Sequence, residues 1–154
     1  MGSILGTTKL TQVALIVKDI EKTKKRLADF FGVPVPPTIS GGDYEITQTN
    51  YMGKPAPDAD CLLAFFDMSD GVGLELIQPN GAKSIWQDFL EQKGEGLHHI
   101  AFNIKGMEQI IISCEEFGMN FVQKGNYGDG SGCYSYLEGG QDLPFVIELL
   151  ESNI

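Results

Sequence analysis

Positive charge is what this sequence has least of. Eleven Lys and Arg stand against 21 Asp and Glu, for a formal net charge of −10, so most of the surface repels nucleic-acid phosphates and anionic lipid headgroups. Neither a nucleic acid nor a membrane is an expected partner. Long apolar runs are missing too. No stretch approaches the ~20 residues that cross a bilayer, and the opening MGSILGTTKL has neither the basic region nor the apolar stretch of a secretory signal. Cys61, Cys114 and Cys133 are odd in number and show no CxxC spacing, which argues against a disulfide framework and against a thiolate zinc site. A cytoplasmic location is the expectation. With 154 residues, 42% hydrophobic and 10% aromatic, the chain suits one well-buried domain spanning 1–154 and is short for two.

Histidine is scarcer still, and the two present, His98 and His99, are adjacent in GLHHIAFNI. The segment they open is one copy of an internal repeat. TQVALIVKDIEKTKKRLADFFGV (residues 11–33) aligns with HHIAFNIKGMEQIIISCEEFGM (residues 98–119), so that Gln12 falls on His99, Ala14 on Ala101 and Lys18 on Lys105, with Gly32 meeting Gly118 after one deletion. Each copy reads as a strand and then a helix. Asp19 is a plausible N-cap and Gly32 a C-terminal stop in the first, while Met107, Ile110, Ile111, Cys114 and Phe117 form the apolar stripe of the second. Cys114 then belongs to the core. Later in each half, GLELIQ (residues 73–78) matches VIELLE (residues 146–151), which aligns Glu75 with Glu148. Other strand-like runs cover 61–67, 120–124 and 133–138, and a short strand is expected near 44–49. KSIWQDFLEQKGEG reads as a connecting helix, with Ser84 and Gln87 at capping-box spacing and Gly94 at its end.

Alternation along a strand assigns faces. Ile100, Phe102 and Ile104 form the greasier side that should carry a helix, which places His98 with them or behind the site, and turns His99 toward the opposite, concave side. The same parity turns Gln12 there, and sets Glu75 and Glu148 opposite their leucine and isoleucine neighbours. Four polar side chains thus converge. An uncompensated buried carboxylate costs several kcal/mol, against a typical domain stability of ~5–15 kcal/mol. The two acids need a cation. The single arginine, Arg26, falls on the exposed side of a predicted helix, and no lysine lies in the runs that carry Glu75 and Glu148. A divalent metal is the simplest candidate, because Gln12, Glu75, His99 and Glu148 offer one nitrogen and three oxygens.

The whole pattern resembles the vicinal oxygen chelate superfamily, the glyoxalase, bleomycin resistance and dioxygenase proteins, over roughly Lys9 to Glu151. WQDFLEQKGEGLHHIAFNI is similar to the matching segment of methylmalonyl-CoA epimerases, with GLELIQPNG and VIELLE in support. The resemblance implies an α+β fold in which two tandem βαβββ modules, about 9–80 and 97–151 and linked by a connecting helix at 81–96, form a curved mixed sheet around one metal site. It implies one divalent ion held by Gln12, Glu75, His99 and Glu148, with zinc favoured and cobalt, nickel or manganese possible. Epimerases usually have His where Gln12 stands, and the order Gln, Glu, His, Glu is instead similar to that of zinc-type glyoxalase I.

Both kinds of relative use the metal as a Lewis acid on an acyl thioester or hemithioacetal while a carboxylate moves a proton on the adjacent carbon. Glu148 is the expected base and Glu75 the second base for the opposite face; Glu45 is a candidate for the middle-loop glutamate of the epimerases. Methylmalonyl-CoA epimerase-like activity is the first expectation, a glyoxalase I-like lactoylglutathione lyase the second, and a metal-free small-molecule binding module of the drug-resistance type the third. An extradiol dioxygenase would need a two-His, one-carboxylate triad, which Gln12 breaks. Lys54, Lys83, Lys93 and Lys124 are the residues available for the phosphates of a CoA substrate, and a homodimer is the family expectation.

Overall fold

The computed structural model describes residues 2–153. Along the chain run β1 (Gln12–Ile16), α1 (Ile20–Phe31), β2 (Ile39–Ser40), α2 (Tyr44–Thr47), β3 (Asn50–Tyr51), β4 (Lys54–Pro55), β5 (Cys61–Asp67), β6 (Gly73–Pro79), α3 (Ile85–Lys93), β7 (Gly96–Asn103), α4 (Met107–Phe117), β8 (Asn120–Asn126), β9 (Gly132–Glu138) and β10 (Val146–Ser152). The strands form one mixed sheet in the order β2-β5-β6-β1-β7-β10-β9-β8-β3-β4. β1 runs parallel to β6, β7 runs parallel to β10, and the two pairs meet where β1 lies antiparallel to β7. This is the expected α+β architecture, a sheet curled into a half-barrel.

The two long helices of the repeats cover the convex side. Asp19 starts α1 by accepting the Lys22 N–H at 3.1 Å, and Gly32 ends it in the left-handed conformation that glycine adopts without strain. Its buried Ile20 and Ala28 pack on Leu15, Ala64, Phe66, Leu74 and Leu76. Likewise Ile110 and Cys114 of α4 pack on Leu137, Ile147 and Leu149, with Ile100 and Phe102 beside them. The parity that separates Leu74 and Leu76 from Glu75, and Ile147 and Leu149 from Glu148, therefore holds.

The connecting helix α3 goes to the other side. Its N-terminus is held twice, by Ser84, which accepts the Gln87 N–H at 3.0 Å, and by the Gln123 side chain, which accepts the Ile85 N–H at 2.9 Å. The capping box is only half made, because the Gln87 side chain reaches the Gly81 N–H instead. Ile85 and Trp86 then enter a core with Ala14, Ile16, Ile77, Tyr136 and Val146 on the concave face. That core fills one end of the half-barrel and leaves the other open.

One expected strand is a helix. Residues 44–47 form α2, with Gln48 left-handed at φ 47°, and pairing starts only at Asn50. The Asp43 carbonyl takes the Ile46 and Thr47 N–H groups, which closes a helical turn. The open end of the curl is drawn together beside this turn. A Cβ on Gly128 would stand 2.6 Å from the Gly41 carbonyl oxygen, and one on Gly42, at φ +121°, would stand 2.6 Å from the Gly128 Cα. Only glycines permit two loops to meet that closely.

Candidate metal centre

Gln12 enters from β1, Glu75 from β6, His99 from β7 and Glu148 from β10, four strands that are neighbours in the middle of the sheet. The register aligns them: Ala14 pairs with both Glu75 and His99, and Glu148 with Ala101. Glu75, His99 and Glu148 are all buried, and their donor atoms lie within 4.8 Å of one another. His99 Nε2 is 3.1 Å from a Glu148 oxygen and 3.6 Å from a Glu75 oxygen. The Gln12 amide oxygen and His99 Nε2 are both buried without a hydrogen-bond partner.

Electrostatics identifies what the cluster wants. Burial pushes the Glu75 carboxyl well above the usual carboxylate range, and the charge of Glu148 pushes it further. Burial raises Glu148 as well, with the Tyr136 hydroxyl pulling the other way. Burial also depresses His99 to about 3, so the imidazole is neutral at physiological pH. The cluster is thus two acids and a neutral imidazole, with the unpartnered Gln12 amide oxygen on the same cavity wall. Such a donor set fits a divalent cation, which would turn mutual repulsion into ligation.

A cavity of about 610 Å³ opens onto Gln12, Glu75 and Glu148. Trp86, Tyr134, Tyr136 and Phe65 supply aromatic walls, and Asp60 and Asp129 lie nearer the loops. Its described lining contains no lysine, arginine or histidine. Lys54, Lys83, Lys93 and Lys124 are absent from that lining; Lys83 pairs with Asp88, and Lys93 lies over the Phe89 ring. Glu45 is exposed on α2 and does not face the cavity.

Of the two places the sequence leaves open for His98, the structure takes the one behind the site. The pairing of β1 with β7 slips between Ala14, opposite His99, and Leu15, opposite Leu97. The extra residue is a β-bulge at His98, which re-aims its side chain. The ring therefore leaves the helix-bearing face and packs edge-on against Phe89 of α3 and Tyr136 of β9, 5.1 and 5.7 Å between centroids. Its Nδ1 lies 2.8 Å from Nδ1 of His99. Sequence reasoning also missed Trp86 and Tyr136, whose indole N–H and hydroxyl are bonded at 3.1 Å. The alternation in CYSYLE was the available signal, since it sends Tyr134 and Tyr136 to one face.

Comparison with known proteins bears on the family and the fold. Residues 11–136 match the model of the Glyoxalase/Bleomycin resistance protein/Dioxygenase superfamily. A curated relative, the uncharacterized protein YqjC of Bacillus subtilis, is 58% identical over 40 residues; the match spans 26% of this chain and 28% of that protein. Among solved structures, methylmalonyl-CoA epimerase from Mycobacterium tuberculosis is similar at TM-score 0.63 and 15% identity, over 100% of this chain and 93% of that one. A variant of the Streptomyces coelicolor methylmalonyl-CoA epimerase in complex with 2-nitronate-propionyl-CoA is similar at TM-score 0.64 and 20% identity, over 96% and 99%. A hypothetical protein from Bacillus halodurans reaches TM-score 0.64 at 19% identity, over 95% of each chain. At these identities the structural likeness speaks for the fold.

Proposed function

We propose, from the premise that this chain belongs to the Glyoxalase/Bleomycin resistance protein/Dioxygenase superfamily, that it is a metal-dependent isomerase or epimerase that moves a proton on the carbon next to a carbonyl. In this reading the halves 9–80 and 97–151 act as paired modules, and Gln12, Glu75, His99 and Glu148 hold one divalent ion, zinc by preference. The observation that carries it is the meeting of two buried carboxylates, a neutral imidazole and an unpartnered amide oxygen at the floor of a cavity whose described lining offers no cation. When bound, the ion supplies Lewis-acid polarisation of the substrate carbonyl, which makes the neighbouring C–H acidic.

The chain's own groups do the rest. Glu148 takes the proton and leaves an enolate; Glu75, on β6, returns a proton from the other side when the product is the epimer. The Tyr136 hydroxyl, across the strand pair from Glu148, favours the charged form of that carboxyl, which keeps the base available to take the proton. The aromatic walls of Trp86, Tyr134 and Phe65 keep water from the enolate.

An acyl-CoA thioester is the favoured substrate class, as in the neighbours bound to acyl-CoA ligands. Its acyl end would enter the cavity, where the bound ion is the one cation available to a methylmalonyl carboxylate, and its phosphates would lie outside, beyond the acidic lining. A glutathione hemithioacetal is the second reading, and the Gln, Glu, His, Glu order favours it. Incubation in deuterated water with methylmalonyl-CoA, or with methylglyoxal plus glutathione, distinguishes them by which substrate gains deuterium at the reacting carbon. Deuterium in neither, from protein carrying about one divalent ion per chain, defeats both substrate assignments. Protein that takes up no ion and exchanges nothing defeats the enzyme reading in favour of a small-molecule binding module.

A further inference from the structure

The bulge that moves His98 to the concave side also gives it a partner. A hydrogen bond between two Nδ1 atoms 2.8 Å apart needs one donor and one acceptor. His99 turns Nε2 toward Glu75 and Glu148, and a nitrogen that ligates a cation must offer a lone pair. In a neutral imidazole the single proton then sits on Nδ1. His99 is therefore the donor, His98 accepts through Nδ1, and the proton of His98 stays on Nε2, an atom buried without a hydrogen-bond partner. The opposite arrangement would place an N–H of His99 where the ion belongs.

We propose, resting on the metal-site reading above, that His98 is a positioning residue: it accepts the Nδ1–H of His99 and so fixes the tautomer and ring angle of the ligand. A ligating histidine almost always gives its other N–H to a carboxylate, a backbone carbonyl or water. Here a third carboxylate beside Glu75 and Glu148 would add another buried anion. A neutral ring supplies the acceptor without that charge. His98 is built for the task, being 1% exposed and gripped edge-on by Phe89 and Tyr136.

The test uses the full chain, stripped of metal and titrated with zinc alone. Long-range proton–nitrogen NMR spectra of the zinc-loaded protein should show His99 protonated at Nδ1, and His98 bare at Nδ1 and protonated at Nε2. His98→Phe keeps a ring against Phe89 and Tyr136 but removes the acceptor, and should weaken zinc binding about 10- to 100-fold. His98→Asn, whose side-chain oxygen can stand where Nδ1 stood, should recover most of that loss; if the Phe variant does not fold, the protonation states read by NMR carry the test. Equal zinc affinity in all three proteins, or a proton on Nδ1 of His98 in the zinc-loaded chain, overturns the proposal. A wild-type chain that binds no zinc overturns the underlying metal reading first, before any variant is compared.

Discussion

Glu148 and Tyr136 face each other directly across the antiparallel β10–β9 pair, and the Tyr136 hydroxyl, which accepts the Trp86 indole N–H at 3.1 Å, pulls the Glu148 carboxyl down against the rise that burial gives it. A buried carboxylate thereby connects to a connecting helix through one phenol. Tyr136→Phe strands the buried indole donor of Trp86, so it should cost about 1–3 kcal/mol of stability in urea melts. Because the hydroxyl favours the charged form of Glu148, its loss should also raise the lower apparent pKa of a pH–rate profile. An unmoved profile would show that Tyr136 does not act on the base.

Removal of the cation should produce a pH dependence of opposite sign to ordinary acid denaturation. In the cation-free chain the carboxyls of Glu75 and Glu148 are raised above their usual 4.5, Glu148 to about 8. The folded state then holds protons that the unfolded chain releases, so stability falls as pH rises from 4.5 toward 8. At about 1.4 kcal/mol per pKa unit, Glu148 alone contributes several kcal/mol to that fall, and Glu75 acts in the same direction. Urea melts in chelator at pH 5 and pH 8 should show it, and Glu148→Gln should flatten it. Zinc should reverse it, since binding to the folded state adds about 2.7 kcal/mol at a hundredfold excess over Kd.

How much of this was legible beforehand depended on whether a feature was local. The helices α1 and α4 announce themselves through Asp19, Gly32 and the Ile110–Cys114 stripe, and strand parity alone places Gln12, Glu75, His99 and Glu148 on one face. Parity fails at His98, because a bulge depends on the pairing of β7 with β1 and leaves no mark in GLHHIAFNI itself. The α2 turn was misread for a related reason. YEIT alternates like a strand, yet the Asp43 carbonyl captures it as helix, and pairing with β8 starts only at Asn50. Trp86 reads as a helix residue in sequence, but its place on the cavity wall follows from α3 packing inside the curl, a purely tertiary outcome.

The glycine contact at the mouth gives a steric prediction. Gly128→Ala puts a methyl group 2.6 Å from the Gly41 carbonyl oxygen, so the β2–α2 and β8–β9 loops must separate. The cost should be about 1–3 kcal/mol, the usual range for overpacking. Trp86 is the chain's only tryptophan and lines the same cavity, so its emission should shift to the red as water enters. An emission spectrum identical to wild type would mean that the loops part without opening the cavity.

Glu151 supplies the last prediction, because it ties β10 to the start of α4. One carboxylate oxygen accepts the Gly106 N–H at 2.8 Å and the other the Met107 N–H at 3.0 Å. Gly106 has no side chain with which to cap that helix, so a strand residue far along the chain does it instead. These two bonds hold the Glu151 carboxyl below its usual 4.5. The folded state therefore binds fewer protons than the unfolded chain in this range, and the resulting stability is complete above 4.5 and is lost as pH falls through the lower folded value. Glu151→Gln should lower the urea midpoint near pH 7, and the difference from wild type should shrink as pH falls through the lowered folded value and the wild-type carboxyl takes up its proton. Zinc affinity should stay the same in this variant, since the cap faces α4 while Glu148 faces the cavity. A midpoint difference that persists unchanged to low pH would assign the effect to packing of β10 and not to the charge of Glu151.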